Sequence, residues 1–517
     1  MNTANCRIGR TMPSAHYTAP QQQAATVSRA AAGGLGTMSN WSPRRLSWRE
    51  EGNQREKVAL RATDIACNDA HGASIVDSIV INSVGTGLWP RSTPNHKRLG
   101  ISEEQAAELA EAMEWEFEQF SREADARGVT DFYGLQTQNV WSMLVKGEFI
   151  NLPLMLRNPG RRYSLALQIV DPARLRTPGV YTSAADVRDG IRLGTTGQPL
   201  SYFLADPENG LLVPGLDLSQ FQEVPPRRGH RPTVMHGFVP KEPEQVRGVP
   251  IFAPVMKLFR DKGDYLDFEL VAAIVAANFP VWIEKSNPYD AHTLPGVRSV
   301  NTTQDETTHY RELSPGQVHY GNPGEKPYFP SPNRPSGNLP AFLETVLRAI
   351  GAGGGGMPYE ITAKDFSKTN YSSARAALEE AWRVFGFTQD WLIKAFCQPV
   401  YEMVFEEAWL RGRVKLPQGI DFYTFRAELC AADWTVPART SLDPVKEMVA
   451  HVMGKQNNVA TDADFCAKRG KDYEDVYRQR KRERQQAKDM ELPETAVTTV
   501  KKKPEQPDDP QKQEGEQ

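Results

Sequence analysis

The stretch between residues 249 and 356 constrains this chain most, because two apolar helix patterns there bracket a long polar insert. Phe252, Val255, Phe259, Leu266, Leu270, Ile274 and Val275 describe one helix from about residue 251 through Asn278. It is apolar on several faces, and such a helix needs neighbours on both sides. Residues 284–338 then turn polar and rich in Pro, Gly, Asn and Thr, as in Leu313-Ser314-Pro315-Gly316 and Tyr328-Phe329-Pro330-Ser331-Pro332. A segment of that length is too long for an ordinary connection, so it is either a small projecting domain or a functional loop. A second helix begins near Asn338, with Phe342, Val346 and Ile350 on one face, and ends in Gly351-Ala352-Gly353-Gly354-Gly355-Gly356. Only a mobile or tightly turned backbone needs that composition.

Upstream of this unit the pattern is mixed. Ser102-Glu103-Glu104-Gln105 reads as a capping box ahead of Ala106, Leu109, Met113, Phe117 and Phe120 at helical spacing. Short strand patterns follow at 149–154, 163–170, 202–204 and 234–238, which makes 41–245 an α+β region. Downstream the chain is largely helical. Ser372 is placed to cap a helix carrying Leu378, Trp382 and Phe385, and Pro399 suits the first turn of another. Asp443-Pro444 and Thr461-Asp462 start the last helices, and Trp382, Trp391, Trp409 and Trp434 are expected in the core.

A chain of 517 residues has room for about three domains. Its formal charge of -3 provides no global field to hold nucleic acid, so any DNA-facing surface must be local. The basic cluster Arg478, Arg480, Lys481, Arg482 and Arg484 could touch DNA or coat the last helix as a solvated face. Cys6, Cys67, Cys397, Cys430 and Cys466 never form a CxxC spacing; they read as free thiols in a reducing compartment and provide no zinc framework. His292, His309 and His319 fit no metal motif either, and neither a metal nor a cofactor is expected. The glycine run lacks the GK[ST] ending of a phosphate-binding loop. The longest apolar stretch, Leu270–Ala277, falls far short of a membrane span, and the N-terminus has no signal-peptide core.

Several segments carry a family resemblance. Leu60-Arg61-Ala62-Thr63-Asp64-Ile65-Ala66-Cys67-Asn68-Asp69, then Val84-Gly85-Thr86-Gly87-Leu88, then His236-Gly237-Phe238 leading to Gln245-Val246-Arg247-Gly248-Val249-Pro250 are similar to runs in portal proteins of lambda-like tailed phages. The most specific match is Gly356-Met357-Pro358-Tyr359-Glu360, Asp365-Phe366-Ser367 and Asn370-Tyr371-Ser372-Ser373-Ala374-Arg375. It continues through Gln398-Pro399-Val400-Tyr401, Trp434 and Asp443-Pro444, so it covers about 41–480. Two places depart from the family pattern. Lys241-Glu242-Pro243-Glu244-Gln245 stands where the family has arginine-proline-glycine before the glutamine, and four glycines at 353–356 replace the usual one or two, which predicts a looser loop.

The resemblance implies an α+β, non-enzymatic, portal-type subunit. Its parts would be a flexible N-terminal arm (1–40), an α/β wing (41–248), a first stem helix (249–283), a clip (284–337) and a second stem helix (338–352). A tunnel loop (353–372), a tunnel-facing helix with further wing (373–440), a helical crown (441–480) and a disordered charged tail (481–517) complete it. Twelve copies would form a ring through which double-stranded DNA is packaged and ejected. The terminase large subunit, then head-completion and connector proteins, would dock on the clip, with major capsid and scaffold proteins as further partners. Assembly would take place in the host cytoplasm, and the ring would occupy the virion's portal vertex. The DNA-facing candidates are Gly353, Gly354, Gly355, Gly356, Lys364 and Lys368, and the motif residues are Tyr359, Asp365, Asn370, Tyr371, Ser372, Ser373 and Arg375. The alternative from another class is a hydrolase or transferase acting on DNA, with the glycine-rich loop as an active-site lid.

Overall fold

The computed structural model describes residues 48–206, 220–277, 281–283, 318–320, 338–437, 444–467, 469–471 and 473–490. The expected arm at 1–40 and nearly all of the expected clip lie outside them. Contacts divide the chain after Lys57; of the first unit only the opening turns of α1 (Trp48–Asn68) are described, and the remaining elements belong to the second.

Asp69 ends α1 and caps α2 (Ala70–Val84) by accepting hydrogen bonds from the backbone N–H groups of His71 and Gly72. After β1 (Trp89–Ser92) comes α3 (Glu103–Ser121), where the expected capping box of Ser102 and Gln105 forms. The helix α4 (Phe132–Lys146) leads through Gly147, at φ +91°, into β2 (Glu148–Met155) and β3 (Leu165–Val170). A four-stranded antiparallel meander follows: β4 (Val187–Arg188), β5 (Ile191–Leu193), β6 (Pro199–Ala205) and β7 (Phe221–Val224). Then β8 (Met235–Phe238) returns to pair antiparallel with β2. All four strand patterns expected from the sequence are present.

Strand alternation decides how β2 joins two cores. Phe149 points into the main core, while Ile150 and Leu152 pack with Val170, Ile191, Tyr202 and Leu204 in a smaller one. The main core is strongly aromatic: Phe132 meets Phe117 edge-on at 5.2 Å and stacks on Phe396 at 5.3 Å.

In the second half, α5 (Met256–Ala277) leads to the short strand β9 (Val281–Ile283), which pairs in parallel with β10 (Val318–Tyr320) across the insert. The chain returns along α6 (Leu339–Gly353). Next come α7 (Tyr371–Leu392) and α8 (Gln398–Leu410), joined without a break by a wider π turn over Ile393–Cys397. The π turn thus makes α7 and α8 one continuous rod, in which Pro399 stands in the first turn of α8, as expected. Having no N–H and a ring that crowds the carbonyl four residues back, it is accommodated by the wider turn, where Gln398 N–H bonds to Ile393 O.

The strand β11 (Ala432–Thr435) pairs with β1, tying the chain's early and late segments together. The four tryptophans are partly buried against the main core as expected; Trp409 stacks on Phe422 at 5.1 Å. The last helices are α9 (Pro444–Gln456), α10 (Asp462–Ala467) and α11 (Tyr473–Asp489). Thus residues 481–489, expected in the disordered tail, continue a helix. Their Arg, Lys, Glu, Gln and Ala are good helix formers, and side-chain bonds Gln479–Glu483 and Gln485–Asp489 link successive turns.

Candidate functional site

The glycine-rich segment sits where α5, α6, α2 and α7 meet. Leu347 and Ile350 of α6 are buried in one core with Phe252, Val255 and Phe259, and Tyr265 of α5 packs on Phe342 of α6 at 5.1 Å. A buried lysine anchors α5: Lys262 Nζ donates to both Asp69 carboxylate oxygens, at 2.9 and 2.6 Å, and lies 3.2 Å from His71 Nδ1. Asp69 thus caps α2 and holds α5 with the same carboxylate. Burial lowers the His71 pKa, the Lys262 cation lowers it further, and Asp69 only partly opposes them.

At the end of α6 the chain reverses on itself. Gly353 is the helix's last residue and not part of the loop. Gly354 N–H bonds to Ile350 O at 2.7 Å, and Met357 N–H bonds to Gly351 O at 2.8 Å. Gly355 and Gly356 adopt φ +107° and +70°, which side chains disfavour. Gly354 is buried, and a Cβ on Gly355 would stand 3.2 Å from the Ile79 side chain. The run is therefore a packed turn, tighter than four glycines suggested, and Met357 beyond it is buried.

The motif residues form the next layer. A single helical turn, Tyr359–Thr362, packs on α2, with Ser74 Oγ donating to Ile361 O. Tyr359 OH donates to Asp365 Oδ2 at 3.3 Å, while Asp365 Oδ1 accepts Ser367 N–H; the Ser367 hydroxyl and then its backbone N–H hold this carboxyl below its usual range. Lys368 Nζ and Arg348 Nη2 both bind Glu344 of α6, at 2.7 and 2.9 Å, and the Arg348 guanidinium lies over the Tyr359 ring. Lys364 is exposed at φ +52°, its Nζ 3.5 Å from Ser78 Oγ.

Helix α7 is capped by Asn370, not by Ser372. The Asn370 carboxamide oxygen accepts Ser373 N–H at 2.8 Å, Ser373 reciprocates with the Asn370 N–H, and Ser372 Oγ donates to the same oxygen. Asparagine is as good an N-cap as serine, and starting the helix two residues earlier completes a reciprocal box. Tyr371 is exposed, and Arg375 bridges to Glu379 one turn on.

The motif around His236 and Arg247 converges on a residue that sequence reading passed over. Glu148, fully buried at the start of β2, accepts Arg247 Nε at 2.8 Å and Gly248 N–H at 2.9 Å, and lies 2.9 Å from His236 Nε2. Burial pushes this carboxyl's pKa up, but Arg247 and His236 outweigh that and hold it well below the usual range. A charged residue directly ahead of the apolar strand 149–152 was the available signal, since a buried charge requires a partner. The glycines close the knot: a Cβ on Gly237 would strike the Phe149 ring, and one on Gly248 would strike Gly147 O.

The departure at 241–245 is also legible. Gln245 Oε1 accepts the backbone N–H groups of Lys241 and Glu242, so the turn persists, but Glu244 sits at φ +61° where the family's pattern has glycine. Relief of the Cβ clash outweighs the added unfolded-chain entropy, so Glu244→Gly is expected to stabilise the chain by about 0.5–1 kcal/mol, read as a raised thermal midpoint.

Outward from these anchors, α5 is inverted. Lys262 and Glu269 are buried, whereas Phe268 is 75% exposed and Leu270, Val271 and Ile274 are also exposed. Internal ties of this kind, carried on helices with uncovered apolar faces, define a subunit of a larger assembly. The chain belongs to the lambda family of phage portal proteins: residues 35–389 match the family described as "Phage portal protein, lambda family". It is 24% identical to Portal protein B of Escherichia phage lambda, over 82% of each chain. To the portal protein of Escherichia phage N15 it is 25% identical, over 82% of this chain and 83% of that one. Among solved structures, a chain from "Neck of native GTA particle computed with C12 symmetry" overlays with a TM-score of 0.37 at 13% identity, covering 85% of this chain and 96% of its own. The family is structural and non-enzymatic, and its place is the portal vertex of the phage virion.

Proposed function

We propose that twelve copies of this chain close into a ring whose bore passes double-stranded DNA into the capsid during packaging and out of it at ejection. The observation that carries this reading is the inverted α5. An apolar face exposed on one protomer while charges are buried behind it is stable only if a neighbour covers it. A closed ring needs two different, complementary surfaces on each copy. The α5 face supplies one; the stripe Val445, Met448, Val449, Val452 and Met453 along α9, exposed at helical spacing, supplies another.

On this reading α5 and α6 form the stem, 284–337 the clip, 41–248 with 373–440 the wing, and 441–480 the crown. The clip receives the terminase large subunit and later the head-completion or connector proteins; the wing meets major capsid and scaffold proteins. Assembly takes place in the host cytoplasm. The segment 354–372, beyond the end of α6, is the tunnel loop; its exposed Gly356, Lys364 and Lys368, with Gly353 at the helix end, face DNA, while Gly354 is packed inside the turn and Gly355 is half-buried beside it. Glu344, Glu360 and Asp365 beside the two lysines make the charge mixed, which suits weak, transient contact.

The 57.8 kDa chain should sediment as an assembly of about 0.7 MDa if twelve copies close. Phe268→Asp combined with Ile274→Asp should return it to single chains with the wing still folded. A wild-type protein that stays monomeric at micromolar concentration would overturn the reading.

A further inference from the structure

We propose that one face of α11 is a docking strip for the phosphate backbone of double-stranded DNA, an inference that rests on the portal reading but is separable from it. Arg480, Lys481, Arg484 and Lys488, with Tyr477 and Gln485, line a single shallow groove along the helix. Arg480 and Lys481 are adjacent, and Arg484 and Lys488 follow at intervals of three to four residues, so the four cations lie on one face over a little more than two turns of about 5.4 Å each.

Two properties set this face apart from an ordinary wet helix. Charge is segregated: Glu483, the only acid between Val476 and Lys488, projects from the opposite side and accepts from Gln479. Among the described residues, Arg480, Lys481, Arg484 and Lys488 form no ion pair, whereas Arg478 outside the groove pairs with Glu474. The helix is also fixed in place. Arg91 of β1 binds Glu474 at 2.8 Å and lies over the Tyr473 ring, and Tyr477 OH donates to Asp462 of α10.

The chemistry of the face selects nucleic acid over an acidic protein. Protein interfaces rely on buried apolar or aromatic anchors; between Arg478 and Asp489 the only apolar side chain is Ala487, and Tyr477 at the groove is already tied through its OH to Asp462. A row of cations along one helix face matches a partner that presents anions at a short, regular repeat, as a duplex does every 3.4 Å or so along each strand. Long flexible cations on an exposed face meet phosphate whatever the bases, so binding is independent of sequence.

The test uses the full-length assembled protein and a labelled duplex of mixed sequence, titrated at several NaCl concentrations. The variant Arg480→Gln, Lys481→Gln, Arg484→Gln, Lys488→Gln keeps good helix formers, and assembly mass is checked first. Expected is at least a tenfold loss of affinity near 100 mM salt, with a log–log salt slope shallower by about 2–4, since each lost phosphate contact removes about 0.9. The matched removal of four wing cations, Lys97, Arg98, Arg122 and Arg157, should leave both unchanged. An unaltered slope in the α11 variant, or equal loss in the wing variant, overturns the proposal while leaving the ring intact. Polyglutamate competing as well as DNA at equal charge also overturns it, in favour of an acidic protein partner. Failure of the wild-type chain to assemble would instead strike the portal reading.

Discussion

Arg247→Ala should lower the stability of the wing by about 3–5 kcal/mol, the range for removing one partner of a buried ion pair. The guanidinium does more than neutralise Glu148. Its Nη1 donates to Leu175 O at 2.9 Å and Asp189 O at 2.7 Å, and its Nη2 to Pro172 O at 3.0 Å. Truncation therefore takes a donor from three carbonyls, of which Pro172 O keeps the Leu175 N–H, and leaves the buried Glu148 carboxylate with only Gly248 N–H and His236. Lysine cannot substitute, because one ammonium cannot reproduce the planar fork. Glu148→Leu with Arg247→Leu should be milder than Arg247→Leu alone, since no unpaired charge remains. Amide exchange across 148–155 and 235–248 is the direct measurement; unchanged protection in Arg247→Ala would refute the account. The same knot gives a pH dependence. Glu148 titrates lower in the folded chain than its ordinary 4.5, so its contribution is complete above about that pH and is lost as pH falls further. Protection of β2 should decay with acidification below pH 4.5, and Glu148→Gln should start lower and flatten that decay.

Periodicity was enough to read α3, α5–α8 and the strands β2, β3, β6 and β8, because helix and strand patterns are local properties of the chain, whereas short strands such as β1 and β11 have too few residues to show one. Ala106, Leu109, Met113, Phe117 and Phe120 repeat on one face and are buried in α3. The pairings that build the site are long-range, and no local rule reports them. Lys262 and Asp69 are 193 positions apart, and Glu148 meets Arg247 across 99. The motif around Arg247 was visible, but its purpose was not, since the residue it serves lies in a different part of the chain. The cap of α7 was misplaced by two residues because Asn370, Ser372 and Ser373 are all competent caps, and only the direction of the incoming chain chooses among them. Pro399 marks the first turn of α8, but the π turn that joins α8 to α7 leaves no separate signature in apolar spacing.

Gly351→Ala should be the most damaging single change in the glycine-rich segment, costing about 3 kcal/mol as an overpacked backbone contact. Gly351 lies inside α6, where alanine would normally improve the helix by about 1 kcal/mol. Here, however, the reversing chain crosses directly over it: a Cβ would stand 2.4 Å from Met357 O and 2.5 Å from Thr362 Oγ1. A backbone oxygen cannot rotate aside as a side-chain tip can, so the turn itself must move. Gly355→Ala should cost about 1–3 kcal/mol through its left-handed backbone. Gly353→Ala should cost about 1–2 kcal/mol despite the better helix former, because its Cβ would stand 2.6 Å from a methyl of buried Val255, whose β-branched side chain has no free rotamer to retreat to. Gly356→Ala, left-handed but with only the Val384 methyl nearby at 3.5 Å, should cost about 1 kcal/mol, the least of the four. This graded order separates two meanings of the glycines. If the run exists to form a packed turn, DNA packaging should track the stability losses, most severe at 351 and mildest at 356. If it exists to let the loop shift as DNA passes, all four replacements should impair packaging to a similar degree, whatever the size of their stability losses.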